Sequence, residues 1–242
     1  MAEASKSEAP RARARPRARP RAGTPKREDP ADDPTPRTGL LIDWGGVLTT
    51  NLFASFHAYC LREQIDPQAL AGRFRRDPAF RELLIALEEG RLTEPEFEGS
   101  FAQLLGVAPE GLIDGLFAGV EPDGAMIEAV RRAREAGVRT ALVSNSWGTH
   151  RYPEELLGIF DGVVISGLEG IRKPAPRMYE LGAQRAGIAA AACVYVDDLP
   201  FNLTPAQEMG MATVHHTDPA TTIPELERLL GIPLGEDASD PP

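Results

Sequence analysis

Cysteine is nearly absent from this chain of 242 residues: Cys60 and Cys193 are the only two. A pair of cysteines makes no disulfide framework, and neither has a partner at metal-binding spacing. A reducing, cytoplasmic setting is therefore expected. Long apolar runs are missing too. The longest span a handful of residues, far below the roughly 20 that a membrane helix needs. Residues 1–31 hold Arg, Ala, Pro and acids but no apolar segment, so no secretory signal is expected. Lysine is the third scarcity. Lys6, Lys26 and Lys173 are the whole supply, so Lys173 is the one lysine outside the N-terminal arm.

What is present is unevenly distributed. The net charge is −10. Residues 1–37 carry ten Lys/Arg against six acids, a surplus of four, so the rest of the chain sums to −14. An acidic body repels nucleic acid, and any such contact is expected only through the basic arm. That arm is rich in Arg-Ala and Arg-Pro with no hydrophobic period, and reads as a disordered, solvated tail.

Beyond the arm, short continuous apolar runs recur at 39–43, 138–144, 163–166, 193–197 and 212–215. Such runs suit strands buried on both faces of a parallel sheet. Helical spacing lies between them, at 124–136, 174–187, 204–209 and 223–230. Strand–helix alternation predicts an α/β fold, a doubly wound, Rossmann-like parallel sheet. One block, 52–121, breaks the alternation with five helical patterns (54–63, 67–75, 79–88, 94–105, 109–117) and no strand. The expected organisation is a tail (1–37), a core (38–51 and 122–242) and an inserted helical cap (52–121). Open α/β sheets bind ligands at the strand C-termini, so this insertion is expected to lie over the site.

The strand ends carry the chemistry. Asp43 closes the first strand, Ser144-Asn145 the second and Asp197-Asp198 the fourth, while Arg172-Lys173-Pro174 precedes a helix. Three carboxylates gathered at one edge repel unless a cation lies among them. Oxygen ligands favour a hard ion, with Mg²⁺ the usual choice beside phosphate. Lys173 would balance charge, and the Ser144 hydroxyl could donate to phosphate oxygens. Gly45-Gly46 lets the backbone curl tightly after Asp43. This set describes phosphoryl transfer to an aspartate followed by hydrolysis.

The chain resembles the haloacid dehalogenase superfamily. Four motifs occur in order across 39–217: Leu-Leu-Ile-Asp43-Trp-Gly-Gly-Val-Leu-Thr49, Ala-Leu-Val-Ser144-Asn-Ser-Trp-Gly148, Gly170-Ile-Arg-Lys173-Pro, and Val-Tyr-Val-Asp197-Asp198-Leu-Pro-Phe-Asn202. The resemblance implies Asp43 as nucleophile and metal ligand, with the Gly45 carbonyl as main-chain ligand. Asp198 is the implied direct metal ligand, and Asp197 the one behind it. Ser144, with Asn145 beside it, is implied to bind phosphate, and Lys173 to balance charge. The implied cofactor is Mg²⁺ and the implied partner a small phosphorylated metabolite, with no membrane involvement.

One position departs from the pattern. The family's phosphatases usually carry a second aspartate two residues after the nucleophile, as general acid and base. Here that residue is Gly45. The substrate could be a phosphate ester with a good leaving group, or a cap residue could take over, with His57 and Glu63 as candidates. A dehalogenase reading is opposed by the intact acidic pair. A phosphonoacetaldehyde hydrolase reading needs a cap lysine, and 52–121 has none. A weakly active or non-catalytic member that retains the fold is the remaining alternative.

Overall fold

A computed structural model describes residues 36–235. Five parallel strands form one sheet in the order β3-β2-β1-β4-β5. They are β1 (Gly39–Ile42), β2 (Arg139–Ser144), β3 (Gly162–Ile165), β4 (Cys193–Asp197) and β5 (Ala212–His215). Every expected strand is present to within one or two residues at either end. The order reverses beside β1: the chain runs outward through β2 and β3, then returns to β4 and β5 on the other side. In such sheets the crevice at this reversal, outside the strand C-termini, receives ligands.

Strand alternation divides the core. Leu40 and Ile42 of β1 join one buried cluster with Leu142, Val194 and Val196, whereas Leu41 joins the other with Val143 and Tyr195. On the first face lie α6 (Gly124–Glu135) and α11 (Pro219–Leu230), and on the second α9 (Pro176–Ala186) and α10 (Pro200–Glu208). Both faces are covered, which is why the strands are uniformly apolar rather than alternating.

Five helices separate β1 from α6: α1 (Leu52–Arg62), α2 (Pro67–Arg76), α3 (Pro78–Glu88), α4 (Glu94–Leu105) and α5 (Leu112–Phe117). They bury a third cluster of their own, with Phe80, Phe97, Phe101, Leu112 and Ile113 at its centre. The chain enters and leaves this block through paired segments. Thr50 N–H donates to the Glu121 carbonyl (2.8 Å), and Asp123 N–H to that of Leu48 (2.9 Å). Caps start the helices: Asp66 accepts from Gln68 N–H, and Thr93 with Glu96 closes a reciprocal box on α4.

Some expectations shift. Helix α10 starts at Pro200 rather than at 204, and α11 at Pro219 rather than at 223, because proline preorganises a first helical turn. Two four-residue helices, α7 (Glu154–Leu157) and α8 (Ser166–Glu169), had no periodic signal to announce them. The tail expected over 1–37 lies outside the described residues except for Pro36 and Arg37. Arg37 belongs to the fold: it is buried, its N–H donates to the Leu229 carbonyl (2.9 Å) and its guanidinium to the Ala191 carbonyl. Among the described residues no helix is long and apolar enough to cross a membrane.

Candidate active site

Three adjacent strands deliver the predicted residues to one edge. Asp43 follows β1, with its N–H bonded to the Val196 carbonyl of β4 (3.0 Å). Ser144 ends β2 and Asp197 ends β4. A carboxylate oxygen from each of Asp43, Asp197 and Asp198 lies within 4.8 Å of the others. Lys173 is buried against them, its Nζ 2.8 Å from Asp43 Oδ1 and 2.8 Å from Asp197 Oδ2.

The two oxygens of Asp43 differ. Oδ1 accepts from Trp44 N–H (2.7 Å) as well as from Lys173. No described residue donates to Oδ2. Asp197 is fully engaged: Leu199 N–H (2.9 Å) and Asn202 Nδ2 (3.0 Å) reach Oδ1, while Lys173 and the Tyr195 hydroxyl reach Oδ2. Asp198 is half-buried beside the turn after Asp43. Gly46 has φ +74°, and a Cβ there would lie 2.5 Å from Asp198 Oδ2. Only glycine allows both that backbone conformation and that approach.

Three carboxylates against one ammonium leave two uncompensated negative charges in a buried site. Burial pushes the Asp43 carboxyl up to about 7; Lys173 pulls the other way, and Asp197 adds to the rise. Burial, then Asp197, pushes Asp198 up to about 6. Burial works against the Lys173 ammonium, but Asp197 and Asp43 outweigh it and hold its pKa raised. An all-oxygen donor set short of two positive charges fits one hard divalent cation.

Ser144 is 1% exposed, and its Oγ accepts from the Tyr152 hydroxyl (3.0 Å). That bond leaves the serine's own proton free to donate. Tyr152 thus orients the predicted phosphate-binding hydroxyl. The Asn145 side chain is turned to the Lys173 backbone. Its Oδ1 accepts from Lys173 N–H (2.8 Å) and its Nδ2 donates to the Lys173 carbonyl (3.2 Å), so its side chain holds the lysine backbone.

Sequence reasoning missed Glu88. It ends α3 in the helical block, yet it is 5% exposed and pairs with Arg172, the neighbour of Lys173. Its backbone carbonyl accepts from Ser166. Burial pushes its carboxyl up and Arg172 draws it back. Removing one member of a buried pair strands the other. Glu88→Ala is predicted to lower stability by about 3 kcal/mol in urea unfolding, and a change below about 0.5 kcal/mol would remove this contact from the account.

His57 is exposed on α1, and Glu63 is exposed at its C-cap. Neither lines the cleft of about 490 Å³ that opens beside Ser144 and Gly45. The space next to Gly45 belongs to Leu52: a Cβ at position 45 would meet Leu52 Cδ1 at 2.6 Å.

The family profile for haloacid dehalogenase-like hydrolases matches residues 38–210. The chain belongs to this family. It is similar to the sesquiterpene phosphatase astK of Aspergillus oryzae, 26% identical over 197 residues, covering 80% of this chain and 93% of that protein. It is 38% identical over 113 residues to mouse acyl-CoA dehydrogenase family member 10, which is 45% of this chain but only 10% of that much longer protein. Its fold matches that of a haloacid dehalogenase family enzyme from Bacteroides thetaiotaomicron, solved in complex with magnesium and inorganic phosphate. There the TM-score is 0.56 at 21% identity, covering 84% of this chain and 98% of that one. Membership makes the chain a hydrolase of this family.

Proposed function

We propose that this chain is a Mg²⁺-dependent phosphatase that cleaves a small phosphate monoester through an aspartyl phosphate on Asp43. The observation that carries the reading is the asymmetry of Asp43. Its Oδ1 is pinned by Lys173 and Trp44 N–H, while no described residue donates to Oδ2, inside a site with two uncompensated negative charges.

Oδ2 attacks phosphorus in line. The ester P–O bond breaks, and its electron pair leaves with the alcohol oxygen, which takes a proton from water because position 45 is Gly and carries no acid. Ser144 donates to a phosphate oxygen, its own acceptor site being filled by Tyr152. Lys173 balances charge on Asp43 and on the phosphoryl group. Water then attacks the aspartyl phosphate, releasing inorganic phosphate and restoring the carboxylate. Asp43, Asp198 and the Gly45 carbonyl are the groups that would hold Mg²⁺, with Asp197 behind them. When bound, the ion supplies charge neutralisation at the phosphoryl oxygens. Asn145 serves by fixing the Lys173 backbone. Residues 52–121 act as a cap over the core formed by 38–51 and 122–242, with 1–37 as a tail. The unpaired, buried Cys60 and Cys193 support a reducing, cytoplasmic setting.

The relative named as a phosphatase supports this reading. A slow or non-catalytic member is the second reading, favoured by Gly45 with Leu52 pressed against it. Phosphate release from p-nitrophenyl phosphate with Mg²⁺ separates the two. Asp43→Asn is expected to reduce it by about 10³-fold or more. Retention of the rate by the Asn variant, or no release from any ester by the unmodified protein, ends the phosphatase reading.

A further inference from the structure

The cleft beside Ser144 and Gly45 has one polar end and an apolar body. Its walls are Trp44, Leu52, Phe117, Val120, Trp147 and Tyr152. Trp44 meets Tyr152 edge-on at 5.4 Å, and Trp147 packs with Phe56 and Phe117 at 5.2 and 5.7 Å. These contacts fix the rings as a rigid surface. A volume of about 490 Å³, at about 30 Å³ per water-sized group, holds on the order of fifteen non-hydrogen atoms.

The rim does not invite a second anion. Among the described lining residues, Arg151 is the one Lys or Arg. Its guanidinium is taken by Asp114 (2.9 Å) and Glu94 (3.2 Å) and lies over the Phe117 ring at 5.2 Å. His150 Nδ1 faces the same Glu94 at 3.0 Å. Asp114 and Glu121 add negative charge to the lining. The apolar walls offer a polyhydroxylated sugar few partners, the carboxylates of Asp114 and Glu121 being exposed. The neutral polar side chains of the lining are Thr49, Ser144, Asn145 and Tyr152; Asn145 is committed to Lys173, and the Tyr152 hydroxyl to Ser144. Unmet hydroxyls would be buried at a cost that selects against such substrates.

Resting on Asp43 as the phosphoryl acceptor, we infer that the substrate is the monophosphate of a bulky, uncharged, largely hydrocarbon alcohol or phenol. Its phosphate lies at Ser144 and its apolar body lies along Phe117, Val120 and Trp147. Each methylene buried there is worth about fourfold in kcat/KM, so a ten-carbon chain buried in part gains about 10²-fold.

The test uses the full chain with Mg²⁺ and measures phosphate release from decyl phosphate (below its micelle concentration), geranyl phosphate, 1-naphthyl phosphate, glycerol 3-phosphate, glucose 6-phosphate, AMP and p-nitrophenyl phosphate. The expected result is a kcat/KM for the apolar esters about 10²-fold above that for the glycerol and glucose esters. Val120→Asp and, separately, Phe117→Ser are expected to lower the ratio of decyl to p-nitrophenyl phosphate turnover by about tenfold. Two variants are used because Phe117 also packs in the helical block. If glucose 6-phosphate, glycerol 3-phosphate or AMP is turned over best, the inference is overturned and the phosphatase reading stands. If none of the esters, p-nitrophenyl phosphate included, releases phosphate, the phosphatase reading fails and takes the inference with it.

Discussion

Lys173→Met is expected to cost the metal-free protein about 3–5 kcal/mol of stability at neutral pH, the range for removing one partner of a buried charge pair. At the sensitivity of a domain this size, that lowers the unfolding midpoint by about 10 °C. The cause is local. The ammonium is 1% exposed and bridges Asp43 and Asp197, themselves 7% and 0% exposed. A methionine of similar shape leaves three clustered carboxylates with no counter-charge. The pH dependence identifies the cause. Asp43 is already raised to about 7 with Lys173 pulling it down, and removing that pull raises it further. A carboxyl with a folded pKa above its unfolded value of 3.8 binds a proton in the native state that the unfolded chain has given up. Stability of the variant therefore rises as pH falls from about 8 to about 5. Added Mg²⁺ should recover part of the loss by binding only the folded form. Phosphate release should drop by about 10³-fold, as when other preorganised charge-stabilising groups are removed. Thermal unfolding at several pH values checks this. A variant as stable as the parent, with an unchanged pH profile, would show that the bridge carries little energy.

How much of this was legible in the sequence depends on where each residue's partners come from. Asp43, Ser144 and Asp197 sit at ends of buried apolar runs, with Lys173 in the loop before α9, and a doubly wound sheet brings these ends and loops together. Their convergence follows from the chain pattern alone. Helix starts proved harder. Pro200 and Pro219 look like breakers in a sequence and act as first-turn residues in the fold. Glu88, Tyr152 and Leu52 carried no local signal. Glu88 meets Arg172 across 84 positions of chain, and nothing in the α3 pattern distinguishes it from a surface acid. Tyr152 follows a single 3₁₀ turn (Thr149–Arg151), too short to leave a period in the sequence. Leu52 is an ordinary first residue of α1 until its methyl group is seen against Gly45. Asn145 was found by its neighbourhood, but its bonds to the Lys173 backbone depend on how two loops meet.

Gly45→Asp combined with Leu52→Ala is expected to raise turnover of an unactivated alkyl phosphate by about 10²-fold, the lower end of what a positioned general acid contributes. Position 45 is where the family's phosphatases usually carry that acid. Its backbone does not forbid a side chain, since the left-handed conformation belongs to Gly46 and not to Gly45. The obstacle is Leu52, whose Cδ1 stands 2.6 Å from where the new Cβ would be. Gly45→Asp alone must push that methyl aside and is expected to gain less than the double variant. Leu52→Ala alone supplies no proton and should gain nothing. A carboxyl installed here lies among apolar walls and near three other carboxylates. Both influences raise its pKa and keep it protonated for the leaving oxygen. The gain should be smallest on p-nitrophenyl phosphate, whose phenolate leaves readily without a proton, and largest on decyl phosphate. If the double variant behaves like Leu52→Ala on both esters, some other group already protonates the leaving oxygen. If the predicted contrast appears, Gly45 and Leu52 together explain the chain's departure from the family's usual motif: an apolar wall stands beside the leaving group where that motif places an acid.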